Sequence, residues 1–590
     1  FKTTFTQVLD AFRPADTLEL FTSNPATAYY RAQILAESLS ISPAEYAVFT
    51  ATSTANWFNL YGTYANEAAA LNALKNAQTL SQQLRVSYQG LMNLVETGFL
   101  NPALYALMFQ FERFGIDMGT AFSFTNQPGY PALTAQQTTD FQNLLNGISS
   151  QYKQQNPGST FEATAWLKKV LPANYPKTVL VLADPNTGCD FSGTTLQYAD
   201  GSPAQPLDFL KLNLMMRLAN KLNCAIDPSS DSSDATSTDD ATSPWTLDEI
   251  DRALQAFFPT KNLPTFTDPG FAQAFGNSWK TALVYLAHLD DLNTRLNPAL
   301  ERVAFLPFWS DLPTQGENPL YAQLFLTSSV LNNDFAFDDP NGNFPAPASD
   351  LTAAQQLLSG HATAIQGALG LSATDLAAIL TDAGLSANAP FSLDNLSICY
   401  RYSQLAECLQ LSVSDMISLK VMSGLNPFQA LSGNPLAILN DDILLNQTLA
   451  FVKEVVVVQN SGFTVEDLKY LLRHQFDPVG KYQTDPNGLI ALVQLVAEGI
   501  AQIQAQNAVP ANLASLPETL TDQNLSGLFP AAILRTLFAQ LNNSQTYSAS
   551  ASSAAALSPA DFAQAPEVTL SYDNVTNTQT LGFRGLLLDW

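Results

Sequence analysis

Six times along this chain the same short pattern of apolar and polar positions returns. An apolar residue is followed by Ser or Thr, two spacers, an acid and a second apolar residue. The pattern stands at 41–46, 245–250, 371–376, 411–416, 463–468 and 557–562, with caps Ser42, Thr246, Ser372, Ser412, Thr464 and Ser558. Each cap is followed three residues later by Glu45, Glu249, Asp375, Asp415, Asp467 or Asp561. A hydroxyl at that position accepts from an orphan N–H of the first helical turn. The acid reaches back to the cap's own N–H, and the two apolar residues close over the turn. The pattern therefore predicts six helix starts. Their spacing is irregular, which excludes a solenoid of fixed period.

Between these marks the apolar positions keep a helical period. Tyr30, Ile34 and Leu35 share a face of a helix expected over 27–39. Leu71, Leu74, Leu80, Leu84, Leu91 and Leu94 extend the period through one long helical stretch, 62–111. Further helices are predicted at 138–155, 161–171, 207–223, 246–258, 271–296, 319–329 and 350–369, densely over 371–476, and at 488–505 and 531–541. Gly424-Leu425-Asn426-Pro427 ends one helix and starts the next. Two short segments, 178–183 and 193–199, read as weak strands. Near the end the period changes to two at Val568, Leu570 and Tyr572, Asp573-Asn574 turns, and 580–588 returns as a strand. The predicted fold is mainly all-α: a large, multi-lobed helical body with a small C-terminal β-hairpin. Four regions are expected: an N-terminal helical lobe (1–170), a mixed connector (171–245), a main helical lobe (246–545), and a linker with the hairpin (546–590). Within the connector, 228–244 has no large apolar residue and no cation and reads as a flexible acidic loop.

Composition sharpens this picture mainly by exclusion. The 590 residues are 46% hydrophobic but only 13% charged, and 52 acids against 26 Lys and Arg give a net charge of −26. A nucleic-acid surface needs clustered cations, and anionic lipid would repel this chain. No run of 18 apolar residues is present; the nearest candidates, 489–501 and 451–458, are short and carry charge, so no transmembrane helix is expected. The chain opens on Phe1 without a leader-like segment, which suggests a removed leader or an excised piece, and it breaks off at Trp590, after which the natural chain is expected to continue. Cys399 and Cys408 on one helix would lie about 13 Å apart, too far to bridge. Cys189 and Cys224 could meet if the chain folds back, although the thiol reading is preferred. Sequons stand at Asn395, Asn446, Asn524, Asn542 and Asn574.

Candidate chemistry is sparse. Of three histidines, His288 precedes Asp290 and Asp291 and reads as part of a solvated helix face, while His474 follows Arg473 at a helix C-terminus, where a cation suits the dipole. His361 has no ligand-like spacing. No phosphate loop, dinucleotide fingerprint or nucleophile elbow is present. No catalytic, cofactor-binding or metal-binding residue is assigned.

The string FSLDNLSICYRYSQLAECLQLSVSDMISLKVMSGLNPF (391–428), followed by SGFTVEDLKYLLRHQFDPVGKY (461–482), resembles the A component of insecticidal Tc (toxin complex) toxins. Segments 24–50, 189–201, 207–226, 245–259, 318–334 and 568–589 resemble that family in the same order. The resemblance spans nearly all of 20–590. It implies a secreted homopentamer in which a helical outer shell, carrying inserted receptor-binding domains, encloses a pore and docks a cocoon made by the B and C components. The present chain resembles a stretch of that shell: structural, non-enzymatic, monomeric by itself, and without contact to membrane or nucleic acid. The pore helices and the cocoon-docking domain are expected beyond Trp590. A host surface receptor or glycan is the further partner implied. No SxDxGxTW box occurs, so sialidase activity is not carried over. Two other readings stand beside this one, a receptor- or glycan-binding helical module and a glycoside hydrolase.

Overall fold

The computed structural model describes most of residues 31–506, residues 525–535, and strand segments between 547 and 583. Within these ranges, 128–129, 156–158, 185–190, 227–243, 259–262, 328–335, 429–442, 476–479 and several single positions are outside the described set. The fold is mainly α, as expected. It groups into two compact units, Phe1–Arg473 and His474–Trp590. That boundary falls inside the expected 246–545 lobe. In the first unit, one continuous hydrophobic core runs from Ala32 to Val465, across the boundaries expected near 170 and 245.

Phe271–Leu296 is the axis of the first unit. It packs against the helices Arg31–Ser38, Leu247–Phe257 and Ile443–Ser461, and against the 3-10 turn Arg302–Phe308. Trp279 is its hub, with the rings of Phe49, Phe99 and Phe258 at 4.9, 5.8 and 5.3 Å. Burying one such aromatic side chain is worth about 1.5–3 kcal/mol. One turn before it, Gly276 lets the chain at Thr50 and Ala51 approach. A Cβ here would stand 2.9 Å from the Ala51 carbonyl oxygen.

Five of the six predicted helix starts are present. Thr246, Ser372 and Thr464 form complete boxes: each hydroxyl accepts from the N–H three residues on, and each acid accepts from the cap's N–H. Ser412 caps with half a box, accepting from the Asp415 N–H at 3.0 Å. Ser42 starts Pro43–Phe49, but its hydroxyl turns toward Glu45 and makes no cap bond. Ser558 is described as exposed, but Leu557, Pro559, Asp561 and Phe562 lie outside the described residues, so the sixth start is not seen. Ser412→Ala is expected to destabilise by about 1 kcal/mol. An unchanged urea midpoint would show that this cap carries no weight.

Two helical stretches break where unbroken helix was expected. The 62–111 segment is four helices, Glu67–Leu74, Ala77–Leu84, Tyr88–Val95 and Pro102–Arg113. Asn66, Asn76 and Ser87 each accept from an N–H three residues on and so start a new helix, while Arg85 turns left-handed at φ 60°. The 350–369 segment is helical only over Ala362–Leu369, after 3-10 turns at Ala348–Asp350 and Leu358–His361. Gly424 ends Val413–Ser423 in the left-handed conformation, as its place in the sequence requires. The helix start expected after Pro427 runs into residues outside the described set.

Both weak strand candidates form. β1, Leu180–Ala183, pairs antiparallel with β2, Thr195–Tyr198, with Leu180 opposite Tyr198. Buried Asn101 extends the pairing, its amide donating to the Leu180 carbonyl (2.9 Å) and accepting from the Leu180 N–H (3.2 Å). In the second unit the expected hairpin, β4 (Val568–Asp573) and β5 (Thr578–Phe583), gains a third strand, β3 (Tyr547–Ser550), in the order β3-β5-β4. The expected acidic loop, 228–244, lies almost wholly outside the described residues.

Candidate functional site

The first unit buries several ionic clusters. The deepest is built on the capping box at Thr246. The Glu249 carboxylate accepts from the Thr246 N–H (2.9 Å) and from the backbone N–H of Arg302 (2.7 Å). Arg302 is 1% exposed. Its Nε donates to Asp290 at 2.9 Å, its Nη1 to Glu249 at 3.4 Å, and its guanidinium lies 4.3 Å over the Trp245 ring. Two carboxylates share the one guanidinium, and Glu249 is held besides by two backbone N–H groups, so the charge of Arg302 is taken up inside the cluster.

Two residues further along the same helix, buried Asp251 accepts from the N–H groups of Gly98 and Phe99, both at 2.8 Å, and from the Gln255 amide at 2.9 Å. It ties Leu247–Phe257 to the turn after Tyr88–Val95. Burial, partly offset by these N–H donors, pushes its carboxyl up to about 7. Between three other helices, Tyr402 donates to Asp382 at 2.6 Å and accepts from Lys420 at 3.1 Å, and Lys420 also pairs with Asp382. A Tyr–Lys pair can act as a general acid or base only if its phenol is brought down toward neutrality. Here burial and the Asp382 hydrogen bond hold the phenol far above its ordinary value.

Burial, then the nearby Asp394 carboxylate, raise the carboxyl of Asp311, against the pull of Arg401 3.8 Å away.

The titratable residues weighed from the sequence fall elsewhere. His288 is buried on Phe271–Leu296, not on a solvated face. The neighbouring acids turn to arginines, Asp290 to Arg302 and Asp291 to Arg295. His361 is buried between the rings of Phe391 and Phe337 at 4.2 and 5.4 Å, its Nε2 bonded to the Gln355 carbonyl. His474 follows the Val465–Arg473 helix with φ 54°, at the C-terminal position its sequence suggests. Cys224, Cys399 and Cys408 are free thiols, and burial pushes Cys224 and Cys399 up to about 12, the wrong direction for a nucleophile. Cys189 lies outside the described residues. No metal-ligating cluster occurs among the described residues. Of the sequons, Asn395 is buried with its amide on the Pro390 carbonyl, and Asn574 is exposed at the β4–β5 turn.

The second unit presents a surface feature of a different kind. The helix Pro486–Gln506 carries Leu489, Leu492, Val493, Val496, Ile500 and Ile503 at three- and four-residue steps, and all are more than half exposed. Gln494, Glu498 and Gln502 recur on the opposite side, where Leu495 is exposed as well. This corrects the expectation that no helix reaches membrane-spanning length. With 21 residues and a mean hydropathy of 1.4 over 18 of them, it is long and apolar enough to cross a membrane. The lone Glu498 interrupts the hydropathy too little, because its other polar residues are uncharged.

Comparison with protein-family models, with curated proteins and with solved structures finds no match to this chain.

Proposed function

We propose that this chain is part of the α-helical shell of a Tc-toxin A-type subunit, a structural and non-enzymatic element of a secreted, pore-forming translocation device. One observation carries the reading: a mainly helical body whose buried ionic clusters each lock one element to another. Glu249 joins a helix start to Arg302, Asp251 joins a helix to the 98–99 turn, and Asp382 joins three helices through Tyr402 and Lys420. Charges spent in this way make a scaffold, and they are unavailable for acid–base work.

The apolar stripe on Pro486–Gln506 supports a role in an assembly, since contiguous exposed apolar surface of this kind marks an interaction site. Glu498, with Gln494 and Gln502, puts polar groups on the side away from the stripe, although Leu495 is exposed among them, and a net charge of −26 opposes anionic lipid. We therefore assign the stripe to protein contact within the subunit or between copies. In the resembled family the copies form a homopentamer that receives the B–C cocoon and engages a host receptor or glycan.

The purified chain should hydrolyse neither aryl glycosides nor sialosides and should release no dye from zwitterionic or anionic vesicles at acid, neutral or alkaline pH. Turnover above the buffer rate would overturn the structural role. Dye release would reassign the stripe to lipid.

A further inference from the structure

The three hydrophobic cores of the first unit leave a gap where they come together. Val95 and Leu180 belong to one core, Phe122 to the second, Leu104 and Val179 to the third. Between them lies a cleft of about 370 Å³, walled by β1 and by the helices Tyr88–Val95, Pro102–Arg113 and Met118–Phe124. That volume is in the range of small-molecule sites. The walls are apolar and soft, with Met92, Met108 and Met118 facing the rings of Phe122 and Tyr130. Thioethers and aromatic faces are polarizable and receive a cation or an aromatic ring well.

The single charged side chain in the lining is Glu96. No cation pairs with it among the described residues; although the side chain is exposed, partial desolvation against the cleft wall and the negative Glu317 hold its carboxyl above the ordinary value. It also stands at the C-cap of Tyr88–Val95, where the helix dipole disfavours negative charge. Glu96 is thus an exposed carboxylate on the rim of an apolar cleft, near the negative Glu317 and at a helix C-cap, and a positive charge placed there offsets both repulsions.

We propose that this cleft binds a small organic ammonium, an apolar or aromatic body carrying one positive charge. The body fills the methionine-lined space and the ammonium pairs with Glu96. A neutral analogue gains the apolar contacts alone, and an anion of the same skeleton sets the same contacts against repulsion from Glu96. The proposal does not depend on the shell reading.

The test uses three probes of one skeleton, 4-phenylbutylammonium, 4-phenylbutanol and 4-phenylbutanoate, titrated calorimetrically into the whole chain. The ammonium should bind about fivefold or more tighter than the alcohol, the worth of a partly solvated ion pair, and the carboxylate should bind weakest. Glu96→Gln should close the gap between ammonium and alcohol and leave alcohol binding unchanged. A plug is available at Gly119 on the cleft wall, where an added Cβ meets only the Asp117 carboxylate at 3.5 Å, an ordinary contact. Gly119→Phe should abolish binding of all three probes with an unchanged melting temperature; should it lower the melting temperature, Val181→Trp on β1 plugs the cleft from the other wall. Equal affinity for ammonium and carboxylate, or no binding of any probe at millimolar concentration, overturns the proposal. So does ammonium binding that survives a folded plug variant, since attraction to the chain's overall negative charge would survive it too.

Discussion

Arg302→Met is expected to lower the stability of the 1–473 unit by about 3–5 kcal/mol, the usual cost of leaving one partner of a buried ion pair alone. Arg302 and Glu249 are 1% and 3% exposed. With the guanidinium gone, the Glu249 carboxylate keeps two backbone donors, Thr246 and Arg302 itself, but no countercharge. Asp290 loses its partner at the rim, and the Trp245 ring loses the cation stacked on it. The methionine fills much of the volume, so the loss reads electrostatics more than a cavity. Urea unfolding followed by tryptophan fluorescence measures it. Adding Glu249→Gln to Arg302→Met should recover part of the loss, because the stranded charge is then removed. A single-variant loss below about 1 kcal/mol, or a double variant weaker than the single by the full cost of Glu249→Gln alone, would show that the pair is not coupled.

The helix starts could be read from the sequence because each is decided within six residues. Thr246 and Glu249 satisfy one another whatever lies beyond them, and so do Ser372 with Asp375 and Thr464 with Asp467. The breaks inside 62–111 were equally local but used a different cap. Asn66 and Asn76 accept the same N–H three residues on, without an acid to complete the box, and an uninterrupted leucine period masked them. What no local pattern reports is the far partner. His288 beside two acids resembles a wet face until Phe271–Leu296 is seen to be enclosed by helices from 31–38, 247–257 and 443–461. Glu249 meets Arg302 across 53 residues, and Asp251 meets Gly98 across 153. Glu96 was one acid among 52 until the gap beside it had walls. The fold class was legible because helix periodicity is local. The clusters and the cleft were not, because they depend on which helices come to face one another.

Acidification is expected to stabilise the 1–473 unit, and Asp251 supplies the largest share. Its folded-state carboxyl titrates at about 7 because burial outweighs the two N–H donors, while in the unfolded chain it titrates at its ordinary 3.8. The native state therefore holds a proton between about pH 4 and 7 that the unfolded state has released. Stability from this group is full below the unfolded value, falls as pH rises through the window, and is flat above it. The total change is about 4 kcal/mol at 1.36 kcal/mol per pH unit. Buried Asp208 acts in the same direction, and so, more weakly, does Asp338, whose side chain is 40% exposed. Asp251→Asn removes the titration and adds a fixed cost. An amide presents one oxygen and one NH₂ where Gly98 and Phe99 both donate, so one N–H is left facing a donor, at about 1–3 kcal/mol. The variant should therefore be weaker than the parent near pH 4.5 and as stable or more stable near pH 8, with stability curves that cross between. Urea midpoints across that range measure it. Parallel curves, or a parent protein that gains stability as pH rises from 4.5 to 8, would mean that Asp251 is ionised in the folded state throughout, its charge held by the two N–H donors against burial.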